Sequence, residues 1–285
     1  MADLPSLWTR KPSDVLRFRA GDQVGEIDTD ASPGFSGGRD DAEVIPDERS
    51  ELLAELQEML YANGKEGDSR SLLLVLQGMD TAGKGGIVTH VVGGVNPMGM
   101  RYASFGKPTA EERSHHFLWR ITKALPPAGT IGVFDRSHYE DVLVARVHEL
   151  APRDEIEQRY GEINVFEKEL VEAGTSVVKV AMFVSLDEQK SRLAERLERP
   201  DKYWKYNPGD LDERKLWPAY QEAYQVMLER TSTDYAPWFV VPCDKKWYSR
   251  MAVTELLIEA LTAMKLSWPP ADFDIEAEKR KLAEA

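Results

Sequence analysis

"LLLVLQGMDTAGKGG", residues 72–86, decides how this chain is read. Ser71 to Gln77 is a continuous apolar run of strand length, the kind buried on both faces of a parallel sheet. It ends in Gly78, and Gly83-Lys84 follows at the spacing G-x-x-x-x-G-K of a P-loop, with a helix expected from Lys84 to about Val92. A P-loop normally places Ser or Thr after the lysine, where the hydroxyl holds the Mg²⁺ of a bound nucleotide. Here that position is Gly85, so a metal ligand has to come from elsewhere. The plainer alternative is a glycine turn with an incidental lysine.

Outward from this loop, strand and helix alternate. A helical stripe, Leu52, Leu53, Leu56, Met59 and Leu60, precedes it and closes near Gly64. Helices are expected over 114–124, 140–148, Pro152 to Gly174, 187–198 and 246–264, with strands over 130–134, 176–184 and 238–241. This order predicts an α/β fold, a doubly wound parallel sheet with helices on both faces. Residues 199–235 are polar and rich in aromatics, separate two strands, and read as a helical lid insertion. Pro218 either kinks a helix there or opens a new one. Residues 1–47 read as an extended arm over the main body, disordered in part, 48–264 as the main domain and 265–285 as a tail.

The chain has 285 residues and a formal net charge of −13, which argues against a nucleic-acid binder. Between Gly78 and Leu150, however, eight Lys/Arg meet seven Asp/Glu, and all five histidines fall there, so an anion can be concentrated locally. The single cysteine, Cys243, excludes an internal disulfide and fits a reducing, cytoplasmic setting. No secretory or membrane-spanning segment is read.

Gly78, Thr81, Ala82, Gly83, Gly85 and Gly86 let backbone amides approach phosphates, with Lys84 as a point charge. Asp80 lies inside the loop, where a carboxylate facing phosphates is repelled unless a cation stands between them. "IGVFDRSHYED" (131–141) places Asp135 at the carboxyl end of a second strand, the edge where such sheets bind ligands. Asp80 and Asp135 together are the expected metal pair, and Arg136 can reach transferred oxygens or pair with Glu140 or Asp141. The spacing of His138, Glu140, Asp141 and His148 matches no zinc motif.

Four stretches, "LQGMDTAGKGGIVTHVVGGVNPMG" (76–99), "FDRSHYEDVLVARVHE" (134–149), "WKYNPGDLDERKLWPAYQEAYQVML" (204–228) and "TSTDYAPWFVVPCDKKWYSR" (231–250), resemble the second family of polyphosphate kinases. The resemblance runs over about 48–264. It implies a P-loop kinase fold of the nucleotide-kinase type that moves a phosphoryl group between inorganic polyphosphate and nucleotides (AMP, ADP, GDP, ATP) with Mg²⁺ or Mn²⁺. It implies the same catalytic residues, Asp80, Lys84, Asp135 and Arg136, and a homodimer or homotetramer. "GMD", "GVNPMG" and "RSHYEDVLVARVH" look like the branch acting on nucleoside mono- and diphosphates, although that branch often has Asp where Gly85 stands. A polyphosphate track is then expected through Lys107, Arg113, Arg120, Arg146, Arg192, Arg196 and Arg199. Tyr203, Trp204 and Tyr206 are expected to close over a nucleotide, whereas Trp217, Tyr220, Tyr224 and Met227 read as helix packing. The competing reading is an ATP-dependent kinase of a small metabolite.

Overall fold

The computed structural model describes residues 7–44 and 46–285; residues 1–6 and 45, part of the expected arm, lie outside them. In chain order the elements are α1 (Pro12–Leu16), α2 (Arg39–Val44), α3 (Pro46–Lys65), β1 (Ser71–Gly78), α4 (Lys84–His90), β2 (Met100–Ser104), α5 (Ala110–Arg113), α6 (Trp119–Ala124), β3 (Ile131–Asp135), α7 (Val144–Val147), α8 (Arg153–Glu172), β4 (Thr175–Phe183), α9 (Leu186–Glu198), α10 (Asp210–Lys215), α11 (Trp217–Thr231), β5 (Trp238–Pro242), α12 (Lys246–Ala263) and α13 (Ile275–Glu284). The five strands form one parallel sheet in the order β2-β3-β1-β4-β5.

The apolar run that opens the sequence reading is the central strand. Side chains alternate across a strand, so Leu72, Leu74 and Leu76 enter the core beneath α3, α4 and α12, while Leu73 and Val75 enter the core beneath α6, α8 and α11. Burial on both faces is what an unbroken apolar strand demands. Helices on both faces satisfy it, as the doubly wound reading expects.

The structure corrects several element assignments. β2 has no signature in the hydrophobic pattern because it is an edge strand with Arg101, Tyr102 and Ser104 exposed. Residues 140–148 are not one helix: a 3₁₀ turn over His138–Asp141 precedes α7, and the Asp141 carbonyl accepts from Arg159 Nη1 at 2.8 Å instead of from a helix amide. Residues 114–124 likewise split, since a capping box of Thr109 and Glu112 starts α5 early and Ser114 ends it. The tail carries α13, capped by Asp274 and burying none of its side chains. Pro218 stands in the first turn of α11, so it opens a helix rather than kinking one.

From Leu7 to Val44 the arm is built into the body. Trp8, Leu16, Phe18, Val24 and Phe35 are buried, and the Phe18 amide donates to Trp238 O at 2.9 Å beside an Arg17–Phe239 bridge, covering the free edge of β5. No helix among the described residues is long and apolar enough to cross a membrane.

Candidate active site

The register of the sheet assembles the site. β1 pairs with β3 so that Leu76 lies opposite Asp135, which brings the loop after β1 alongside the Asp135-Arg136 turn. The Arg136 amide donates to Leu76 O at 3.1 Å and extends this ladder by one bond. In the loop, a Cβ on Gly78 would stand 2.8 Å from Met182 O, so only glycine lets β1 turn there against β4. Gly83 adopts φ +112° at the entrance to α4, a conformation favouring glycine. A Cβ on Gly85, by contrast, would meet nothing within 4 Å, so packing does not forbid the hydroxyl that a usual P-loop carries there.

Five charged groups, Asp80, Lys84, Asp135, Arg136 and Glu140, converge at these strand tips. Lys84 is buried, and its Nζ donates to Gly78 O and, at 3.3 Å, to Met79 O. Burial lowers its pKa from the usual lysine value, an effect the nearby Asp80 partly offsets. Arg136 Nη2 lies 3.2 Å from Asp80 Oδ1, and Nη1 lies 4.0 Å from Glu140 Oε2. Tyr102 on the neighbouring strand donates to Asp135 Oδ2 at 3.4 Å. Glu140 accepts from Gln77 Nε2 at 3.0 Å, and burial raises its pKa above the usual carboxylate range despite Arg136. Thr81 and Arg136 hold φ of +66° and +64°, so left-handed, non-glycine backbone occurs at both strand tips.

The group lines a cavity of about 1110 Å³, which the 199–235 insertion also borders. Nine Lys/Arg and six Asp/Glu line it, a basic balance inside an acidic protein. Its two sides differ. Toward β2 and α11 the wall carries Phe105, Leu143, Tyr220 and Tyr224, whereas toward α12 it carries His90, Lys246 and Arg250. Tyr220 and Tyr224 therefore both pack, as expected, and face the cavity.

The expected track is only partly assembled. Arg196 and Arg199 line the cavity, Arg196 bound to Lys205 O at 3.0 Å and Asp210 at 3.4 Å, and Arg199 paired with Glu195 and Asp201. Arg192 also borders it, but its guanidinium is taken up by main-chain carbonyls. Lys107, Arg113, Arg120 and Arg146 are not brought to the cavity. Lys107 and Arg113 are exposed beyond β2, Arg120 is buried against Gly106 O at 2.9 Å, and Arg146 pairs with Glu157 at 2.8 Å. Of the lid aromatics Trp204 lines the cavity, while Tyr203 and Tyr206 do not.

A family model described as "Polyphosphate kinase 2 (PPK2)" matches residues 39–269. This chain belongs to the polyphosphate kinase 2 family. It is 43% identical over 247 residues to the AMP/ADP-polyphosphate phosphotransferase of Meiothermus ruber, covering 87% of this chain and 91% of that one. It is 41% identical over 231 residues to the ADP-polyphosphate phosphotransferase of Rhodopseudomonas palustris, covering 77% and 78%. The crystal structure of polyphosphate kinase 2 from Arthrobacter aurescens TC1 superposes with a TM-score of 0.95 at 51% identity, covering 98% of both chains. The P-loop kinase-like fold and the phosphotransferase class follow from these likenesses.

Behind the strand tips the chain carries a fully buried polar network. Lys179 Nζ donates to Glu167 Oε2 at 2.6 Å, to the Tyr139 hydroxyl at 2.9 Å and to Thr231 O at 2.7 Å, and His138 Nε2 lies 3.2 Å from Glu167. Burial alone would raise the Glu167 pKa, but Lys179 and His138 outweigh it and keep the carboxylate ionised. The network ties the turn after Asp135 to α8, β4 and the end of α11. His138 is therefore occupied by Glu167, and His148 by Glu213 at 3.0 Å.

Lys246, Arg250, Lys202 and Lys205 are cavity residues that the sequence reading omits. The faint available signal is the i, i+4 spacing of Lys246 and Arg250 at the start of the helix after β5, which places them on one face.

Proposed function

We propose that this chain transfers a phosphoryl group between inorganic polyphosphate and nucleoside mono- and diphosphates, AMP and ADP or GDP, with Mg²⁺ or Mn²⁺ held at Asp80 and Asp135. The observation that carries this reading is the placement of Asp80, Lys84, Asp135 and Arg136 in the lining of one basic cavity. Its volume exceeds the roughly 300–1,000 Å³ usual for a single small-molecule pocket, in keeping with two substrates meeting end to end. The names of the Meiothermus and Rhodopseudomonas relatives support AMP and ADP among these acceptors.

The donor chemistry suits the metal. Asp80 and Asp135 offer carboxylate oxygens alone, the hard ligands that Mg²⁺ and Mn²⁺ take, and no third acidic or histidine ligand joins them into a cluster among the described residues. Such a two-carboxylate site leaves room for phosphate oxygens and water. When bound, the ion neutralises charge on the phosphates being joined and lines up donor and acceptor.

The protein's own groups supply the remainder. Phosphoryl transfer is mostly positioning and charge stabilisation, since charge spreads over the transferring oxygens. Lys84 Nζ, now folded onto loop carbonyls, is the flexible cation that can turn to the phosphates, and Arg136 can leave Asp80 for the transferring group. The acceptor is a phosphate already ionised near neutral pH, so no general base is required. The Phe105, Tyr220 and Tyr224 side suits a nucleotide, and the His90, Lys246 and Arg250 side suits the polyanion. Trp204 and the insertion would exclude water and limit hydrolysis. The buried Cys243 fits a reducing, cytoplasmic setting.

The test is an assay of purified protein with long-chain polyphosphate, Mg²⁺ and AMP, ADP, GMP or GDP in separate reactions, with nucleotide products read by chromatography. Phosphorylated nucleotide formed without any nucleoside triphosphate supports the reading; activity seen only with ATP and a small metabolite would replace it.

A further inference from the structure

The phosphate loop contains a residue in a conformation its side chain disfavours. Thr81 holds φ +66°, left-handed backbone that a β-branched residue rarely adopts. Thr81 lines the cavity, while its hydroxyl is buried and has no hydrogen-bond partner among the described residues. A strained residue with an unmet hydroxyl persists only when its surroundings impose the geometry.

The surroundings that impose it are on α9. Arg192 is only 6% exposed, and its fork is filled by protein. Nη1 donates to Thr81 O at 2.8 Å and Ala82 O at 3.4 Å, Nη2 to Cys243 O at 2.5 Å and Asp244 O at 3.0 Å, and Nε to Glu188 at 2.8 Å. Asp244 is in turn fixed by two elements. Its Oδ1 accepts from the Ser185 amide at 2.8 Å, and its Oδ2 accepts from the Thr29 hydroxyl at 2.8 Å, while the Asp244 amide donates to Thr29 O at 3.0 Å. Thr29 belongs to the N-terminal arm, outside residues 39–269 where the family model matches.

We propose that Arg192 is a positioning residue that holds Thr81 in its left-handed conformation and so keeps the phosphate loop in its shape around the cavity, and that the arm completes the brace through Thr29 and Asp244. Arg192 then acts on phosphate through the loop and not as part of the polyanion track. The activity readout rests on the function proposed above; the stability readout below does not.

Arg192→Lys separates a brace from a charge, because lysine keeps the charge and loses the fork. The expected result is a fall in kcat/KM for polyphosphate of about 100-fold, the scale of a displaced reactive loop, matching Arg192→Ala. Near wild-type values in Arg192→Lys would overturn the proposal. Thr81→Gly supplies the second arm, since glycine adopts φ +66° without cost. In unfolding experiments Thr81→Gly is expected to stabilise the wild-type background more than the Arg192→Ala background, and in kinetics the double variant should lose at least about 10-fold less than the product of the single losses. Additive effects in both readouts would show that Arg192 does not hold Thr81. Where Arg192→Ala does not fold, Thr29→Val reads the arm's part, with an expected drop in kcat/KM of about 3- to 10-fold; an unchanged value would remove the arm from the brace. A wild-type protein inactive with polyphosphate but showing the stability coupling would keep the brace and sink the function.

Discussion

Arg136 Nη2 and Asp80 Oδ1 lie 3.2 Å apart, so the residue that follows β3 and the acid inside the phosphate loop neutralise each other across adjacent strand tips. Both are only part-buried, so the pair is exchangeable and worth little to stability. On the proposed function, Asp80 would hold the metal and Arg136 would turn to a phosphate oxygen once the pair is separated. Asp80→Asn and Asp135→Asn are each expected to lower turnover by at least about 100-fold, the scale of lost charge stabilisation in a transition state, with melting temperature nearly unchanged. Initial rates and circular dichroism check this; near wild-type turnover in both variants would remove the metal assignment.

Lys84 carries a pH signature. Its pKa is lowered by burial, so in the free enzyme the ammonium loses its proton below the usual lysine range. kcat/KM for polyphosphate should therefore fall on an alkaline limb whose midpoint lies under 10.5, and Lys84→Arg should shift that limb upward. The stability sign is opposite. Between the folded and unfolded pKa values the unfolded chain binds more protons, so the cost of burying Lys84 eases as pH rises. A pH–rate profile unchanged by Lys84→Arg would contradict the assignment.

The polyanion side of the cavity is tested at α12. Arg250→Ala and Lys246→Ala should each raise KM for long-chain polyphosphate about 5-fold, equivalent to roughly 1 kcal/mol, with KM for nucleotide little changed. Added salt should shrink the difference. Equal changes in both constants would point to general loosening of the cavity.

The buried network gives a stability prediction. Lys179 and Glu167 are both fully buried, so Lys179→Met strips the carboxylate of its lysine counter-charge, leaving it only His138 and the Tyr139 hydroxyl, and should cost about 3–5 kcal/mol in denaturant unfolding. Adding Glu167→Gln should recover part of that loss, because the stranded charge is gone. Strict additivity would show that the two do not act as a pair.

What the sequence reveals here follows burial. Leu72 to Leu76 announce a central strand because both faces of the sheet are covered, and the spacing of Gly83 and Lys84 fixes the loop after it. β2 is silent because an edge strand with exposed Arg101 and Tyr102 has no apolar face to display. That Asp80 and Asp135 lie near Lys84 can be read from their places in the loop and at a strand end, since these are local features. The track could not be drawn in the same way. Arg192 and Arg196 share a helix, yet Arg192 turns to loop carbonyls and Arg196 to Asp210, a choice set by what α9 packs against. Lys246 and Arg250 are ordinary helix cations until the fold sets them beside the loop.

The most direct test of the central claim is ³¹P NMR of wild-type protein and Asp135→Asn with polyphosphate, Mg²⁺ and AMP or ADP, with no nucleoside triphosphate present. The account predicts that nucleotide phosphates grow as polyphosphate shortens in the wild type, and that the folded variant does neither. Polyphosphate left intact by the wild type, or equal transfer by both proteins, would contradict it.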